Sequence, residues 1–196
     1  MAQVIGSVSM SLDGYVAGPN ARPGNPLDDD GRLHSWIVSP TEADRRVLEA
    51  WDIAAGAVIV GRRMFDEGEG PWGEDPPWHV PVVVVTHHPK PTIAKQGGTS
   101  YHFVSGGVES ALCAARQLAG DKDVMVGGGG DTLDQFLHSG LLDELRVHVV
   151  PVVFGAGRRL FRSAAEGRLE LEPVEVISSP NATHVRYRLP RPNRAD

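Results

Sequence analysis

The chain has very little cysteine and no long apolar segment. Cys113 is the single cysteine among 196 residues, which excludes an internal disulfide and a cluster of thiolate metal ligands. No apolar run approaches the roughly 20 residues of a membrane-spanning helix, and no basic and apolar leader opens the chain. We therefore expect a cytoplasmic protein that does not act at a membrane.

The chain also has fewer positively charged residues than negatively charged ones. The chain carries 19 Lys and Arg residues against 25 Asp and Glu residues, which gives a net charge of −6 and a pI near 5.7. Nucleic acids and acidic membranes attract the opposite charge balance. Neither is expected as a partner, and a small-molecule ligand is the expectation that remains.

Two common nucleotide-binding motifs are missing. The chain has no Gly-Lys-Ser or Gly-Lys-Thr sequence, so it contains no P-loop. The GxGxxG spacing counted from Gly127 reaches Thr132 at its last position, and counted from Gly128 it reaches Leu133. No acidic residue closes a strand about 20 residues further on, where a Rossmann site would contact a ribose. The sequence therefore does not predict a standard Rossmann site.

What the chain does contain is a run of four glycines, Gly127 to Gly130. The run follows a short β-branched segment, Val124 to Val126, and precedes an apolar pattern of helical period. A strand, a glycine turn and a helix together direct free backbone N–H groups at a phosphate, and the helix dipole adds about half a positive charge there. The stretch predicts a site for a nucleotide or dinucleotide.

Short apolar runs alternate with helix-period segments along most of the chain. Strands are predicted over 3–10, 57–60, 80–86, 101–104, 124–126, 144–154, 169–177 and 183–189, and helices over about 39–54, over 108–119 and from 131 onwards. This alternation predicts an α/β fold with a mostly parallel sheet flanked by helices, closed by a C-terminal antiparallel hairpin. We expect one domain over residues 1–190 and a loose tail over 191–196.

Three of the predicted strand ends carry groups suited to phosphate. Gly61-Arg62-Arg63 offers two guanidinium groups, Thr86-His87-His88 a hydroxyl and two imidazoles, and the glycine run its backbone N–H groups. Ligands of open α/β sheets lie beyond the carboxyl ends of parallel strands. Together the three ends predict a ligand with at least two phosphate groups. A 2′-phosphate at the arginines and a pyrophosphate at the glycines fits NADP better than NAD.

Metal binding is the weaker interpretation of the polar clusters. His87 and His88 are neighbours on an extended chain, so their side chains point apart, and no third ligand is evident. The acidic run Asp28–Asp30 has no Glu at calcium-loop spacing and is predicted to be an exposed loop. No metal site is expected. Cys113 lies between apolar helical positions and is predicted to be an inert part of the core.

The order of several motifs along the chain carries a family resemblance. The motifs are Ser11-Leu12-Asp13-Gly14-Tyr15-Val16-Ala17-Gly18, Val60-Gly61-Arg62-Arg63-Met64-Phe65, Val85-Thr86, Gly128-Gly129-Gly130 with Asp134-Gln135-Phe136-Leu137, Gly140-Leu141-Leu142-Asp143-Glu144-Leu145 through Pro151, Phe154-Gly155-Ala156-Gly157 and Leu160-Phe161. The earlier motifs resemble dihydrofolate reductase, and the later ones look more like the reductase domain of bacterial riboflavin biosynthesis. Over about residues 3–189 the chain is identified as a stand-alone bacterial member of the superfamily that these two share.

The resemblance implies a three-layer dihydrofolate reductase-like fold, NADPH as the hydride donor and a homodimer. It also implies roles for single residues, with Arg62 or Arg63 on the 2′-phosphate. By motif match, the cofactor-binding residues are Ala17 and Gly18 beside the nicotinamide, Gly61, Arg62, Arg63 and Met64 on the adenosine side, Thr86 and His87 at the adenine ribose, and Gly127, Gly128, Gly129, Gly130, Asp131, Thr132 and Leu133 at the pyrophosphate.

The chain departs from the dihydrofolate reductase pattern on the substrate side. No carboxylate stands in register with the acidic residue that holds the pterin at the start of the first helix. Leu133 replaces the tyrosine expected beside the glycine turn, and the segment 66–81, with its two tryptophans, differs from the usual loop. Folate is therefore not expected as the native substrate.

The predicted chemistry is hydride transfer to a C=N or C=O group of a small, pterin- or pyrimidine-like substrate. A proton must also reach the substrate, and Asp13 and Asp30 are the candidate sources, with a turn or helix-cap role as the alternative for Asp13. Core packing is the alternative for each member of a predicted aromatic wall formed by Trp36, Trp72, Trp78 and Phe154. Two other functions stay open: an NADP(H)-binding module without reductase activity, and a mononucleotide or FMN binder.

Overall fold

The computed structural model describes residues 2–25, 31–51, 55–162 and 169–190. The strands of this described part are β1 Val4–Ser11, β2 Tyr15–Ala17, β3 Ala55–Gly61, β4 Pro81–Val85, β5 Ile93–Ala94, β6 Ser100–Val104, β7 Asp123–Val126, β8 Glu144–Val150, β9 Arg158–Arg159, β10 Glu172–Ser178 and β11 Thr183–Arg188. Its helices are α1 Ser35–Val38, α2 Glu42–Trp51, α3 Arg62–Trp72, α4 Gly107–Ala119 and α5 Gly130–His138, with short 3-10 helices at Arg32–His34 and Gln96–Gly98.

Nine of the described strands form one sheet in the order β10-β11-β8-β1-β7-β3-β4-β6-β5. All neighbours from β8 to β6 are parallel. The hairpin of β10 and β11 extends one edge in the antiparallel direction, and β5 extends the other. The predicted mostly parallel sheet with a C-terminal hairpin is therefore confirmed. No helix of the described residues is long and apolar enough to cross a bilayer.

Helices cover both faces of the sheet, which explains the unbroken apolar runs of its central strands. Ala57 to Val60 of β3 and Val82 to Val84 of β4 are buried throughout. On the first face, α4 and α5 pack against one large cluster that includes Ile59, Val126 and Phe136. The first face is thus continuous apolar core.

The second face carries two separate apolar clusters. One surrounds Phe65 of α3 over β3, β4 and β6, and the other contains Leu33, Trp36 and Val47 from the helical segments before β3. Between these clusters the sheet face is polar. Strand register pairs Ser9 of β1 with His148 of β8. His148 lies two residues before Val150, which belongs to the cluster around Trp36, and alternate residues of a strand share a face. Both side chains therefore lie on this second face.

Helix α3 departs from the prediction, which placed no helix directly after Arg63. Gly68, Gly70 and Pro71 lie within it, and such residues are typical of loops. Tertiary packing overrides this preference, because the ring of Phe65 lies 4.9 and 5.0 Å from two aromatic rings of β6. Burial of one apolar side chain against the sheet fixes a helix that local propensity does not predict.

Several local predictions are corrected by the structure. The helix predicted from about residue 39 begins only at Glu42, where Thr41 exchanges capping hydrogen bonds with Asp44. The strand predicted to reach residue 154 ends at Val150, and the next residue is a proline that cannot donate to a ladder. Cys113 is exposed, so its prediction as core is wrong. The runs 28–30 and 191–196 lie outside the described residues.

Candidate functional site

A cleft of about 1490 Å³ lies between the two clusters of the second face. We call the part lined by Gly61 to Met64, Thr86 and Gly127 to Thr132 the glycine end, and the part lined by Ser7, Ser9, Trp36 and His148 the histidine end. The predicted site residues that line the cleft are Ala17, Trp36, Gly61, Arg62, Arg63, Met64, Trp72, Trp78, Thr86, His87, Gly127, Gly128, Gly129, Gly130, Asp131 and Thr132.

Backbone geometry at the glycine end requires glycine. Gly128 and Gly129 have φ values of 115° and 70°, in the left-handed region that other residues avoid. A Cβ atom on Gly61 would lie 2.4 Å from Thr132 Oγ1. The N–H of Gly61 donates to the carbonyl oxygen of Gly128 at 3.4 Å. The end of β3 and the turn before α5 are therefore brought into direct contact.

Two helices begin at this contact. Gly61 is the N-cap of α3 and Gly129 is the N-cap of α5, and neither position supplies a side-chain hydrogen bond to its helix. The first N–H groups of a helix have no partner within it, and the helix dipole places partial positive charge beside them. Two such helix starts side by side fit a ligand with more than one phosphate group.

The structure separates the two arginines that the sequence left equivalent. Arg62 is engaged: its Nε lies 2.7 and 2.8 Å from the carboxylate oxygens of Asp66, and its Nη1 donates to Thr86 Oγ1 at 3.3 Å. Arg63 is exposed on the cleft, and its side chain makes no hydrogen bond or ion pair to any described residue. Arg63 is the guanidinium that a 2′-phosphate could engage.

Asp131 puts a negative charge in the first turn of α5, close to the predicted phosphate site. Arg162, which also lines the cleft, forms an ion pair with it at 2.6 Å. The pair leaves this side of the glycine end near neutral, so Asp131 does not oppose an anionic ligand.

Asp13 is held by hydrogen bonds at the turn after β1. It accepts hydrogen bonds from the Ser11 hydroxyl at 2.6 Å and from the N–H groups of Phe154 and Gly155 at 3.1 and 2.8 Å. These bonds, Ser11 first, lower the pKa of Asp13 to about 2, so it carries no proton at neutral pH. These contacts join the turn after β1 to the loop after β8, which fits the turn role given as its alternative, and its role as a proton source stays a prediction. Asp30 lies outside the described residues.

Three further predicted site residues lie outside the cleft lining. Leu133 is buried in the core, and Phe154 packs against the cluster that contains Trp36. Gly18 is buried, and a Cβ on the neighbouring Gly157 would lie 3.1 Å from the carbonyl carbon of Gly18. Packing is the role that the structure shows for each of the three, and their contact with a ligand stays a prediction.

The aromatic wall exists in part. Trp36 lines the histidine end, donates its Nε1–H to Ser9 Oγ at 2.9 Å and stacks over His148 with ring centroids 4.2 Å apart. On the opposite wall the rings of Trp72 and Trp78 pack edge to face, with their centroids 4.5 Å apart. The cleft therefore offers aromatic rings on both sides, which suits a flat ligand.

The histidine end contains a buried polar chain that sequence reasoning missed. His184 Nε2 lies 3.0 Å from Asp44 Oδ1, His184 Nδ1 lies 2.8 Å from His148 Nδ1, and His148 Nε2 lies 3.3 Å from Ser7 Oγ. Asp44 and His184 are 0% exposed and His148 is 3% exposed. One signal was available: polar residues at alternate positions on three strands, Ser7 and Ser9, Arg146 and His148, His184 and Arg186.

Burial sets the protonation of this end. Burial, together with charge repulsion from His184, Arg146 and His34, lowers the pKa of His148 to about 3. Burial also lowers the pKa of His34, which lines the same part of the cleft. His148 and His34 therefore stay neutral near pH 7 and act as hydrogen-bond donors and acceptors.

The described elements and their cleft define a protein of the dihydrofolate reductase-like class: a three-layer α/β fold with a mostly parallel sheet and a cleft at the strand ends. Within this class the family is settled by sequence. Residues 2–185 match the model of the RibD C-terminal domain, and the chain belongs to that family. The resemblance inferred from the motifs is thereby confirmed.

Individual proteins are similar to this chain in sequence or in fold. The uncharacterized protein YyaP of Bacillus subtilis (strain 168) is 24% identical over 184 residues, which cover 89% of this chain and 87% of YyaP. A protein from Shewanella sp. PV-4 assigned to riboflavin biosynthesis has a TM-score of 0.72 at 23% identity, covering 96% of this chain and 99% of its own. Enterococcus faecalis dihydrofolate reductase, in complex with NADP(H) and RAB-propyl, has a TM-score of 0.55 at 15% identity, with coverage of 95% and 96%. These structural likenesses support the fold.

Proposed function

We propose that the protein is an NADPH-dependent reductase that transfers a hydride to a C=N or C=O carbon of a small, pterin- or pyrimidine-like substrate. The observation that carries this proposal is the glycine end, where α3 and α5 begin side by side without side-chain caps and Arg63 projects on the cleft. The likeness in fold to a dihydrofolate reductase crystallised with NADP(H) supports it. We propose further that the protein is a cytoplasmic homodimer.

The residues present fit the cofactor. The glycine turn and both helix starts would hold the pyrophosphate, because the first N–H groups of each helix have no partner within it and no side chain caps them. Glycine at position 61 allows the two helix starts to approach, since a Cβ there would lie 2.4 Å from Thr132 Oγ1. Arg63 would hold the 2′-phosphate, Thr86 and His87 would flank the adenine ribose, and Ala17 would border the nicotinamide. NADPH supplies the hydride when bound, and the protein supplies position and electrostatics.

The substrate would lie at the histidine end. Trp36 on one wall and the Trp72–Trp78 pair on the other favour a planar ring, and Ser9 and His148 supply polar groups among them. Pockets for small molecules commonly span about 300–1,000 Å³. A cleft of about 1490 Å³ has room for a dinucleotide together with a small second ligand.

Calorimetric titration with NADPH, NADH, FMN and ATP tests the cofactor. We expect NADPH to bind most tightly, and Arg63→Gln to lower its affinity about 10- to 100-fold, since hydrogen bonds to charged groups contribute about 1.5–3 kcal/mol. NADH affinity should not change. Arg116→Gln, at an exposed arginine on α4, is the matched control and should leave NADPH affinity unchanged. Equal affinity of the wild type for NADPH and NADH would contradict the 2′-phosphate site.

Oxidation of NADPH, followed by absorbance against a panel of pterins, pyrimidines and cyclic imines, then tests the reaction. Turnover with a member of the panel supports the reductase. Tight NADPH binding without turnover would identify a binding module of the same fold, and a preference for FMN would identify a mononucleotide binder. Sedimentation velocity tests the homodimer, for which a monomer at micromolar concentration would be the contrary result.

A further inference from the structure

Asp44, His184 and His148 form a hydrogen-bonded chain that leads from a buried carboxylate to the cleft. They come from α2, β11 and β8, and the links measure 3.0 Å from Asp44 to His184 and 2.8 Å from His184 to His148. His148 lines the cleft, and its Nε2 lies 3.3 Å from the Ser7 hydroxyl, which lines the cleft as well. The chain therefore connects a buried charge with the site of the proposed reaction.

The carboxylate fixes where the protons of the chain lie. Asp44 Oδ2 accepts the N–H and the hydroxyl of Thr41 at 2.7 and 2.8 Å and the amide of Asn181 at 2.9 Å. Burial raises the pKa of Asp44, but hydrogen bonds from Ser179, Thr41 and His184 outweigh it and hold the pKa below its usual range. An ionised carboxylate only accepts hydrogen bonds, so Oδ1 requires a proton on His184 Nε2.

With Nε2 protonated, the chain has two states that differ by one proton. In the first, His148 Nδ1–H donates to His184 Nδ1, and His148 Nε2 accepts the Ser7 hydroxyl. In the second, a protonated His184 donates its Nδ1–H to His148 Nδ1, and His148 presents an N–H at Nε2 to the cleft. His184 Nδ1 and His148 Nδ1 cannot both carry a proton, because two N–H groups would then face each other across 2.8 Å.

We propose that this chain is a proton relay that protonates the substrate at the histidine end of the cleft, a role that rests on the proposed reductase function. The substrate carbon accepts a hydride from the reduced nicotinamide dinucleotide, and its nitrogen or oxygen accepts the proton of His148 Nε2. His148 in turn takes the Nδ1 proton of His184. His184 becomes neutral and keeps its Nε2–H on Asp44. The starting state returns when solvent in the cleft gives one proton to His148 Nε2 and the proton on His148 Nδ1 passes back to His184 Nδ1.

The surrounding charges favour transfer through His148 over storage on it. Arg146 and His34 oppose a positive charge on His148 from β8 and from the 3-10 helix, and burial opposes it further. His184 has the carboxylate of Asp44 beside it, which stabilises a positive charge at that position. The stored proton therefore lies on His184, and His148 passes it on without holding net charge.

The tautomers can be observed without cofactor or substrate. Long-range ¹H–¹⁵N correlation spectra of the full chain with ¹⁵N-labelled histidine, recorded from pH 9 to pH 5, assign the proton on each ring nitrogen. We expect His184 Nε2 to be protonated throughout, and the proton of His148 to move from Nδ1 to Nε2 as the pH falls. A His148 that becomes a full imidazolium, or a His184 with Nε2 unprotonated, would overturn the relay.

Kinetics test the same chain in the reaction. His148→Gln should lower kcat about 10²- to 10³-fold, the usual size of a lost general acid, and leave the Kd of NADPH unchanged. His184→Gln acts through His148 and should lower kcat less, while the fall of kcat at high pH moves to a different pH. His102→Gln, at a histidine on β6 outside the cleft lining, is the matched control with unchanged kcat.

The outcomes separate the relay from the proposed function. Full activity and an unchanged pH profile in His148→Gln would overturn the relay and leave the reductase intact. If NADPH does not bind, the reductase proposal fails, and the tautomers alone decide whether the chain can carry a proton. Ser7→Ala gives a second kinetic test if His148→Gln does not fold: about a 10-fold lower kcat with normal NADPH binding supports the relay, and wild-type kcat contradicts it.

Discussion

The two ends of the cleft are built in different ways. The glycine end consists of backbone: strand ends, glycines in the left-handed region and two helix starts, all contiguous in sequence with the strands that carry them. The histidine end consists of side chains from distant segments, since Ser7 and His148 are 141 positions apart and Asp44 and His184 are 140 apart. Each half of the glycine end is a local motif, whereas the links of the histidine end join side chains from distant segments.

Their electrostatics differ as well. The glycine end gathers exposed positive charge from Arg63 and two helix dipoles, which is what an anionic ligand requires. The histidine end buries its ionisable groups and balances one carboxylate with two imidazoles. The contrast indicates a division of labour, with binding energy at the first end and proton handling at the second.

The largest loss of stability is expected at the ion pair between Glu67 of α3 and Arg158 of β9, two residues that line the cleft. Glu67 is 5% exposed and accepts hydrogen bonds from both Arg158 Nη atoms, at 2.8 and 2.5 Å. Glu67→Ala removes one partner of a largely buried pair, so we expect the free energy of unfolding to fall by about 3 kcal/mol. Urea denaturation at pH 7 measures this. Glu109→Ala on exposed α4 surface should cost below about 0.5 kcal/mol, and equal costs would contradict the role of the pair.

The second prediction concerns how the free energy of unfolding depends on pH, which reports on the histidine end. The unfolded chain protonates His148 near pH 6.5, whereas burial lowers the pKa of His148 to about 3 in the folded chain. The unfolded state therefore binds one more proton, and the free energy of unfolding should fall by about 1.4 kcal/mol per pH unit below pH 6.5, down to the lowered pKa of His148 near 3.

Urea denaturation between pH 7 and pH 4.5 measures this dependence, above the range in which Asp13 titrates. His148→Gln should lose the one-proton slope, about 3 kcal/mol over two pH units, and His102→Gln should keep it. His34, whose pKa burial lowers, contributes equally to all three proteins and cancels in the comparison. Parallel slopes in the wild type and His148→Gln would contradict the lowered pKa of His148.

The same contrast explains how much could be predicted from the sequence. The parallel sheet, the hairpin and the glycine end follow from contiguous patterns: apolar strands, the glycine run and arginines directly after β3. The histidine end could not be predicted, because alternating polar residues such as Arg186 and Arg188 usually indicate a solvated strand face. Whether His184 meets Asp44 or water depends on where α2 packs, and nothing local to either residue encodes that.

The third effect tests the glycine end through its closest contact. In Gly61→Ala the new Cβ would lie 2.4 Å from Thr132 Oγ1, so we expect about 2 kcal/mol of destabilisation and weaker NADPH binding. Thr132→Ala removes that oxygen, and the double variant should regain most of the lost stability. Gly70→Ala is the control within α3, where a Cβ meets nothing within 4 Å and alanine should be neutral or stabilising. Additive costs in the double variant would contradict the contact.

The smallest effect tests whether the two ends are independent. Trp36→Phe keeps an aromatic ring over His148 but loses the Nε1–H bond to the buried Ser9 hydroxyl, which should cost about 1 kcal/mol of stability. A Trp36→Phe/Ser9→Ala pair should cost less than the sum of the single changes, because the double variant leaves neither group without its partner. NADPH affinity should be the same in all three variants, since the glycine end is formed without these residues. A change in NADPH affinity would show that Trp36 also shapes the cofactor end, and the division between the two ends would then have to be given up.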